Sequence, residues 1–292
     1  MRGLLLYNLN ARRLKPDDLQ RMRLRLADLD FSVRSAAVGS AEAVPRSGES
    51  VVLVAGGDGT VHRLLADLLL WRLPVGLLPC GTADCLAAEL GLPRDWNEAS
   101  RVIAQGATRR VWVPRGDGRF FVLMTGIGLD AWILSRIGEQ VKRRLGVAGF
   151  WLWGAVQFLR CPLVPIRVVS GDEEWEAPLV ILANASRYGR DLLVAPEASV
   201  SEASLDLCAF TSLRRRRYPV YLWAALRGRH PTLPDVVYRK VSEVRVRTPV
   251  EGILAQMDGE PLDRVVGRLA AGCENLCFFA PELHRVADLR DG

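Results

Sequence analysis

Two patterns of hydrophobic and polar positions divide the chain near residue 110. Before that point, short continuous apolar runs alternate with longer helical segments. The runs predict strands at 4–7, 31–34, 51–55 and 75–79, and the segments between them predict helices at about 16–29, 61–71 and 83–90. Continuous apolar strands are typical of parallel sheets that are buried on both faces. We therefore predict a doubly wound α/β domain.

After residue 110 the apolar runs are separated by Gly-Asp and Asp-Gly turns, which are typical of hairpins. We expect strands at 110–114, 120–126, 165–170, 175–185, 204–211, 236–248 and 275–279, and helical segments near 129–160 and 214–228. This pattern predicts a second, mostly antiparallel β domain.

Composition narrows the class of protein. The 292 residues are 49% hydrophobic and 25% charged, which indicates a folded globular chain rather than a disordered one. The net charge of +6 favours polyanionic partners, namely nucleotides, anionic membranes or nucleic acid. The most apolar long stretch, 145–159, is shorter than the roughly 20 residues that a membrane-spanning helix needs, so we predict no span.

The strand at 51–55 runs directly into Gly56-Gly57-Asp58-Gly59-Thr60 and then into a helix. Glycines at such a position let backbone N–H groups approach phosphate oxygens, and the helix N-terminus favours negative charge. Asp58 would repel phosphate unless it acts through Mg²⁺ or accepts a proton. The pattern is neither a P-loop nor a dinucleotide-binding GxGxxG turn. The turn at Gly81 and Thr82 follows the next strand, and the two turns together predict one nucleotide site.

At these residues the sequence resembles the lipid kinases related to diacylglycerol kinase and sphingosine kinase, and more closely their soluble bacterial members. Four motifs carry the resemblance in order over nearly the whole chain: GGDGT at 56–60, PCGTADCLA at 79–87, GIGLDA at 126–131 and DGE at 258–260. The resemblance implies an α/β nucleotide-binding domain over 1–118, a β-sandwich lipid-substrate domain over 119–278, and a tail over 279–292 that returns to the first domain.

The same resemblance implies that the γ-phosphate of ATP is transferred to a lipid hydroxyl with Mg²⁺ as cofactor. The acceptor hydroxyl must lose its proton, and Glu260, supported by Asp258, is the candidate base. Asp58 is the third candidate catalytic residue and, with Glu202, a candidate metal ligand. The candidate nucleotide-binding residues are Asn8, Gly56, Gly57, Asp58, Gly59, Thr60, Val61, His62, Gly81 and Thr82.

The sequence also departs from the family pattern. Asp84-Cys85 replaces the usual Asn-Asp pair, Asn8 begins a turn without Pro or Gly, and Trp112 stands where an Asp is common. In the family's metal loop, Glu202 is the one carboxylate kept. These departures leave a catalytically impaired member as an alternative, and NAD kinases, which share GGDG, are a second.

Basic residues next to aromatic ones suggest contact with a membrane surface. Residues 142–144 are basic and precede Phe150–Trp153, and Arg214–Arg217 precede Tyr218, Tyr221 and Trp223. We therefore expect a cytoplasmic protein that binds ATP and a lipid and associates transiently with the membrane. A homodimer is a further expectation. A basic nucleic-acid-binding protein is the alternative from a different class, but no recognition motif supports it and we expect no nucleic-acid partner.

Overall fold

The computed structural model describes residues 1–136, 154, 156–189, 192–248 and 254–282. The chain divides into two compact units. The first contains Met1–Thr60, Leu70–Arg110 and the described residues from 276 onward, and the second contains Val61–Leu69 and Val111–Asn275. Two of the predicted features, the basic residues 142–144 and the aromatic segment 150–153, lie outside the described residues.

The first unit is built on parallel strands flanked by helices. Its strands are β1 (Arg2–Tyr7), β2 (Ser32–Ala37), β3 (Val51–Gly56) and β4 (Val75–Pro79), and its helices are α1 (Asp18–Asp28), α2 (Asp58–Trp71, of which the middle belongs to the second unit), α3 (Cys85–Glu89) and α4 (Trp96–Ala104). The strand order is β2-β1-β3-β4. All residues of β3 and β4 are buried, which explains their continuous apolar runs. The predicted α/β fold is confirmed.

Register within this sheet brings three loop starts together. Tyr7 of β1 pairs with Ala55 of β3, and Gly56 of β3 pairs with Pro79 of β4. The residues that follow these strands therefore leave the same edge of the sheet. That edge is where open α/β sheets bind ligands.

The second unit contains antiparallel strands in two layers. Its elements are β5 (Thr108–Gly116), β6 (Arg119–Phe120), β7 (Met124–Gly128), α5 (Leu129–Arg136), β8 (Ile166–Ser170), β9 (Glu173–Ala177), β10 (Leu179–Ala183), β11 (Arg187–Tyr188), β12 (Leu192–Leu193), β13 (Leu205–Phe210), α6 (Tyr218–Ala225), β14 (Val236–Val241), β15 (Glu243–Arg247), β16 (Ala255–Met257), β17 (Glu260–Leu262) and β18 (Arg268–Phe279), the first residues of β5 and the last of β18 lying in the first unit. One layer has the order β14-β13-β10-β7-β16-β17, and β15, β8 and β9 lie in the other with the beginning of β18.

One apolar core joins these two layers. Ile127 and Val180 of the first layer and Val168 and Val244 of the second belong to a single cluster of buried side chains. Two sheets that bury their inner faces against each other form a β-sandwich. The predicted antiparallel β domain is therefore confirmed.

Several elements differ from the prediction. The segment predicted as one strand over 236–248 is two strands, β14 and β15, and that over 175–185 is also two, with Pro178 between β9 and β10. Proline cannot donate a ladder hydrogen bond, which accounts for the second break. Helix α4 was not predicted, although Asp95 caps it by accepting hydrogen bonds from the N–H groups of Asn97 and Glu98. Within the part of the chain that the structure describes, no helix is long and apolar enough to cross a membrane.

Candidate functional site

The two glycine turns of the first unit touch each other. The N–H of Cys80 donates to the carbonyl oxygen of Gly56 at 2.9 Å. A Cβ atom placed on Gly57 would lie 2.7 Å from the Cα of Gly81, and one on Gly81 would lie 2.6 Å from the Cα of Gly57. Real Cβ atoms do not approach backbone atoms that closely, so both positions need glycine. The structure thus brings together the two turns that the sequence predicted to form one site.

Asp58 links the two turns through its side chain. One carboxylate oxygen accepts a hydrogen bond from the N–H of Cys85 at 2.9 Å, and the other accepts one from the N–H of Leu86 at 3.0 Å. These N–H groups belong to the first turn of α3, where donors have no partner within the helix. Asp58 therefore caps α3 from a distance. The Asp of GGDGT therefore has a structural role, which the sequence alone did not indicate.

A second carboxylate, Asp84, is buried next to this pair of turns. It accepts a hydrogen bond from the N–H of Gly81 at 2.8 Å and forms an ion pair with Arg13 at 3.3 Å. Burial and the negative charge of Asp58 raise the pKa of Asp84 to about 6. Two mutually repelling carboxylates beside a glycine turn suit a divalent cation, because Mg²⁺ is commonly held by one or two carboxylates together with substrate phosphates. In the sequence, Asp84 stands out only as a departure from the family pattern.

Asn8 and Thr60 complete the loop edge of the first unit. The side-chain amide of Asn8 donates to the hydroxyl of Thr60 at 2.9 Å, and the backbone N–H of Asn8 donates to the carbonyl of Ala55. Thr60 is buried against Gly56, where a Cβ atom would lie 2.5 Å from the threonine hydroxyl oxygen. Thr82, by contrast, is exposed and accessible to a ligand. Of the remaining candidates, Val61 has a buried side chain.

The side chain of His62 contacts Asp258. Its Nδ1 lies 2.9 Å from a carboxylate oxygen of Asp258, and both residues belong to the second unit. Burial alone would lower the pKa of His62, but the hydrogen bond and charge of Asp258, together with the charge of Glu260, raise it overall. A protonated His62 therefore fits this environment.

Asp258 is the centre of a buried hydrogen-bond network. Its side chain has no exposed surface, and it accepts hydrogen bonds from the N–H groups of Val122, Leu123 and Met124 at 2.8–3.0 Å. With His62, four donors or partners surround one carboxylate. Asp258 thus holds the β16–β17 turn against the chain that leads into β7.

Glu260 lies just beyond this turn and is exposed. Asp258 and Glu260 do not lie in one extended segment. Asp258 and Gly259 have φ values of 49° and 87° and form the two-residue turn between Met257 and Glu260. Positive φ at both positions is what tight hairpin turns require, which favours Asp-Gly there. The turn separates the buried carboxylate of Asp258 from the exposed Glu260.

Glu202, the second candidate metal ligand, forms an ion pair with Lys240 at 2.7 Å. The same ammonium lies 3.3 Å from the buried Asp206. Lys240 therefore supplies a positive charge beside Glu202. No group of three or more His, Cys, Asp or Glu side chains arranged to hold a metal occurs among the residues that the structure describes. The metal role of Glu202 stays a prediction.

Gly126 and Asp130 of the GIGLDA motif pack closely against each other. Asp130 is half-buried and accepts hydrogen bonds from the Tyr188 hydroxyl at 2.7 Å and the Gln256 amide at 2.8 Å. Burial raises the pKa of Asp130. A Cβ atom on Gly126 would lie 1.9 Å from the Asp130 carboxylate, so the motif needs glycine there. These contacts join α5 to β7 and β16.

Comparison with known proteins finds two family models that together cover most of the chain. The diacylglycerol kinase catalytic domain matches residues 4–115. The YegS C-terminal NAD kinase beta sandwich-like domain matches residues 125–276. The two matches fall on the α/β part and on the antiparallel part of the chain.

Individual relatives are named as lipid kinases, and a solved structure has the same fold. A protein of Chromohalobacter salexigens named "Probable lipid kinase YegS-like" is 30% identical over 246 residues, which cover 81% of this chain and 78% of the relative. A diacylglycerol kinase of Mycobacterium tuberculosis is 27% identical over 241 residues, covering 78% of this chain and 77% of the relative. The crystal structure of a diacylglycerol kinase from Bacillus anthracis superimposes with a TM-score of 0.76 at 21% identity, covering 96% of each chain.

Proposed function

Because the chain belongs to the diacylglycerol kinase family of lipid kinases, we propose that it transfers the γ-phosphate of ATP to a hydroxyl group of diacylglycerol or a related lipid alcohol. The observation that carries this proposal is the contact of Gly57 with Gly81 at the carboxyl ends of neighbouring parallel strands. Glycine turns at that edge expose backbone N–H groups to phosphate oxygens.

The phosphates of ATP would be held mainly by backbone groups. The N–H groups of Gly57 and Gly59 lie at the start of α2, where a helix favours anions, whereas the N–H of Thr60 donates to the carbonyl oxygen of Gly57. Thr82 adds an exposed hydroxyl from the second turn. Asn8 donates to the Thr60 hydroxyl oxygen, which fixes that side chain and leaves its proton to be donated elsewhere.

Asp58 and Asp84 are the residues that would hold Mg²⁺. Held by these two carboxylates, Mg²⁺ would supply positive charge to offset that of the ATP phosphates. Each carboxylate oxygen of Asp58 accepts one N–H group from α3 and keeps a further lone pair for a metal or its water. Burial and the negative charge of Asp58 both raise the pKa of Asp84, and a bound cation would offset that charge.

Glu260 would accept the proton of the lipid hydroxyl as the new bond forms. It is exposed, whereas Asp258 is fully buried and its carboxylate is occupied by backbone N–H groups. Asp258 therefore has a positioning role: it fixes the turn from which Glu260 projects. His62, two residues after Thr60, adds a charge that depends on pH next to Asp258 and within electrostatic reach of Glu260.

The test is a transfer assay with γ-labelled ATP, Mg²⁺ and a panel of hydroxyl lipids in mixed micelles, with NAD as a competing acceptor. NAD is included because the C-terminal family model is described as NAD kinase-like. We expect label in at least one lipid and none in NAD. Label only in NAD would replace the proposal with an NAD kinase. ATP binding without transfer to any acceptor would indicate the catalytically impaired alternative.

We further propose that the protein works on the cytoplasmic surface of a membrane, since ATP is its phosphate donor and its acceptor resides in a bilayer. Its six cysteines, all within the described parts of the chain, form no disulfide, as is usual in a reducing compartment. The homodimer and the division of the chain at about residues 118 and 278 stay predictions. Sedimentation equilibrium tests the first, and limited proteolysis tests the second.

A further inference from the structure

An exposed apolar face lies on α6 and its two ends. Trp223 is 56% exposed and Leu226 50% exposed, and Leu213, Val220 and Leu222 are also exposed. These five account for almost half of the eleven exposed large hydrophobic residues in the described parts of the chain, although they lie within 14 consecutive positions. Apolar surface is therefore concentrated at this place. Helices that are apolar on all sides are usually buried, so one exposed side calls for a partner.

Arginines surround this apolar face. Residues 207–234 contain six arginines and no Asp or Glu. Four of the arginines are exposed, namely Arg214, Arg216, Arg227 and Arg229. We call these four arginines and the five exposed apolar residues the α6 surface. The acidic residue that ends the segment, Asp235, is neutralised by Arg217 at 2.6 Å, so the α6 surface has a strong positive charge.

The α6 surface is held firmly by the second unit. The hydroxyl of Tyr221 donates to Asp235 at 2.6 Å, and the ring of Tyr221 lies 4.9 Å from that of Phe210 in β13. The guanidinium of Arg215 donates to the carbonyl oxygens of Phe158 and Cys161. The buried side of α6 is thus fixed by aromatic packing and by charged hydrogen bonds. The exposed side is presented as a preformed surface.

We propose that the α6 surface docks the protein onto an anionic phospholipid bilayer. Tryptophan and leucine side chains enter the boundary between headgroups and acyl chains, while arginines pair with lipid phosphates. A two-fold dimer through the same surface would place the arginines of both copies against each other, and charge repulsion opposes that arrangement. The inference rests on the proposed function in one respect: a lipid acceptor requires that the enzyme reach a bilayer.

Vesicle sedimentation of the full chain tests this proposal. The wild type is mixed with vesicles of phosphatidylcholine, with or without phosphatidylglycerol, and compared with two double variants. Leu222→Ser/Trp223→Ser removes apolar area, and Arg214→Glu/Arg216→Glu reverses charge. The controls, Leu24→Ser/Leu70→Ser and Arg23→Glu/Arg101→Glu, make the same changes at exposed positions of the first unit. Size-exclusion chromatography of every variant reports folding and oligomeric state.

We expect the wild type to bind vesicles that contain phosphatidylglycerol and to bind pure phosphatidylcholine much more weakly. The apolar double variant should lose at least about tenfold in partitioning, and the charge-reversed variant at least about thirtyfold. Both control variants should bind like the wild type. Added salt should weaken wild-type binding.

Three results would overturn the proposal. The first is a wild-type protein that does not bind anionic vesicles, and the second is a set of α6-surface variants that bind them like the wild type. The third is a wild-type dimer that becomes monomeric in Leu222→Ser/Trp223→Ser while vesicle binding is unchanged. The last result would identify a second copy of the chain as the partner. Phosphate transfer to a short-chain lipid in micelles is measured separately. An inactive protein that still docks would therefore refute the proposed function but not this surface.

Discussion

Replacing Gly57 with alanine tests directly whether the contact between the two glycine turns is needed. The new Cβ would lie 2.7 Å from the Cα of Gly81, which is a backbone atom that no side-chain rotation can move away. Ordinary contact begins at about 3.4 Å, so the turns must separate by about 0.7 Å. Overpacking of this kind costs about 1–3 kcal/mol. The reduced freedom of the unfolded chain returns about 0.4–1 kcal/mol of that cost.

We therefore expect the free energy of unfolding of Gly57→Ala to fall by about 1–2 kcal/mol. The affinity for ATP should fall at least about tenfold, since the displaced N–H groups no longer reach the phosphates. Urea denaturation and titration calorimetry measure the two effects. Gly267→Ala is the matched control, because its nearest neighbour would be 3.7 Å away and no positive φ is involved. If Gly57→Ala matches wild-type stability and affinity, the turns do not form the phosphate site.

Three further predictions concern the charged residues. Glu260→Gln should lower kcat at least about a hundredfold and leave stability unchanged, because the side chain is exposed and acts as the base. Asp58→Asn should lower kcat by a similar factor and should also cost about 1–3 kcal/mol, since the new amide cannot accept from both N–H groups of α3. His62 should make stability depend on pH. The pKa of His62 is higher in the folded protein than its unfolded value of 6.5, so protonated His62 stabilises the fold. This contribution is complete below pH 6.5 and is lost as the pH rises through the folded pKa.

Steady-state kinetics and urea denaturation at several pH values check these expectations. Glu42→Gln, at an exposed acid of the first unit, is the control for Glu260→Gln and should keep wild-type kcat. Normal turnover in Glu260→Gln would remove it as the base. His62→Gln should lack the stability loss above pH 6.5, and an unchanged pH profile would contradict the ion pair with Asp258.

Local features of the fold could be predicted from the sequence, because they depend on neighbouring residues. The apolar runs located β3 and β4 to within one residue, and the turns after them were recognised from glycine. Helix α4 was missed, although Asp95 at its start is a capping residue whose signal could have been used. Pro178 could likewise have predicted the break between β9 and β10, because proline cannot donate a ladder hydrogen bond.

Contacts between distant parts of the chain could not be predicted. Asp258 binds backbone N–H groups of residues 122–124, more than 130 positions away, and nothing in the local sequence indicates these partners. The DGE motif predicted Glu260 as the base with Asp258 in support, but it did not indicate that the side chain of Asp258 is buried and that Glu260 is exposed. The sequence likewise does not indicate that Asp58 caps α3. That contact depends on the pairing of β3 with β4, which cannot be read from a single sequence.

The proposed function requires that the first glycine turn bind the phosphates of ATP through its backbone N–H groups and that the second turn bind them through the exposed Thr82. Hydrogen–deuterium exchange of the wild type, with Mg²⁺ and either ATP or adenosine, measures this directly. We expect ATP to slow exchange in peptides covering 56–62 and 80–86, and we expect adenosine not to do so. Unchanged exchange in both peptides at saturating ATP, or equal protection by adenosine, would contradict it.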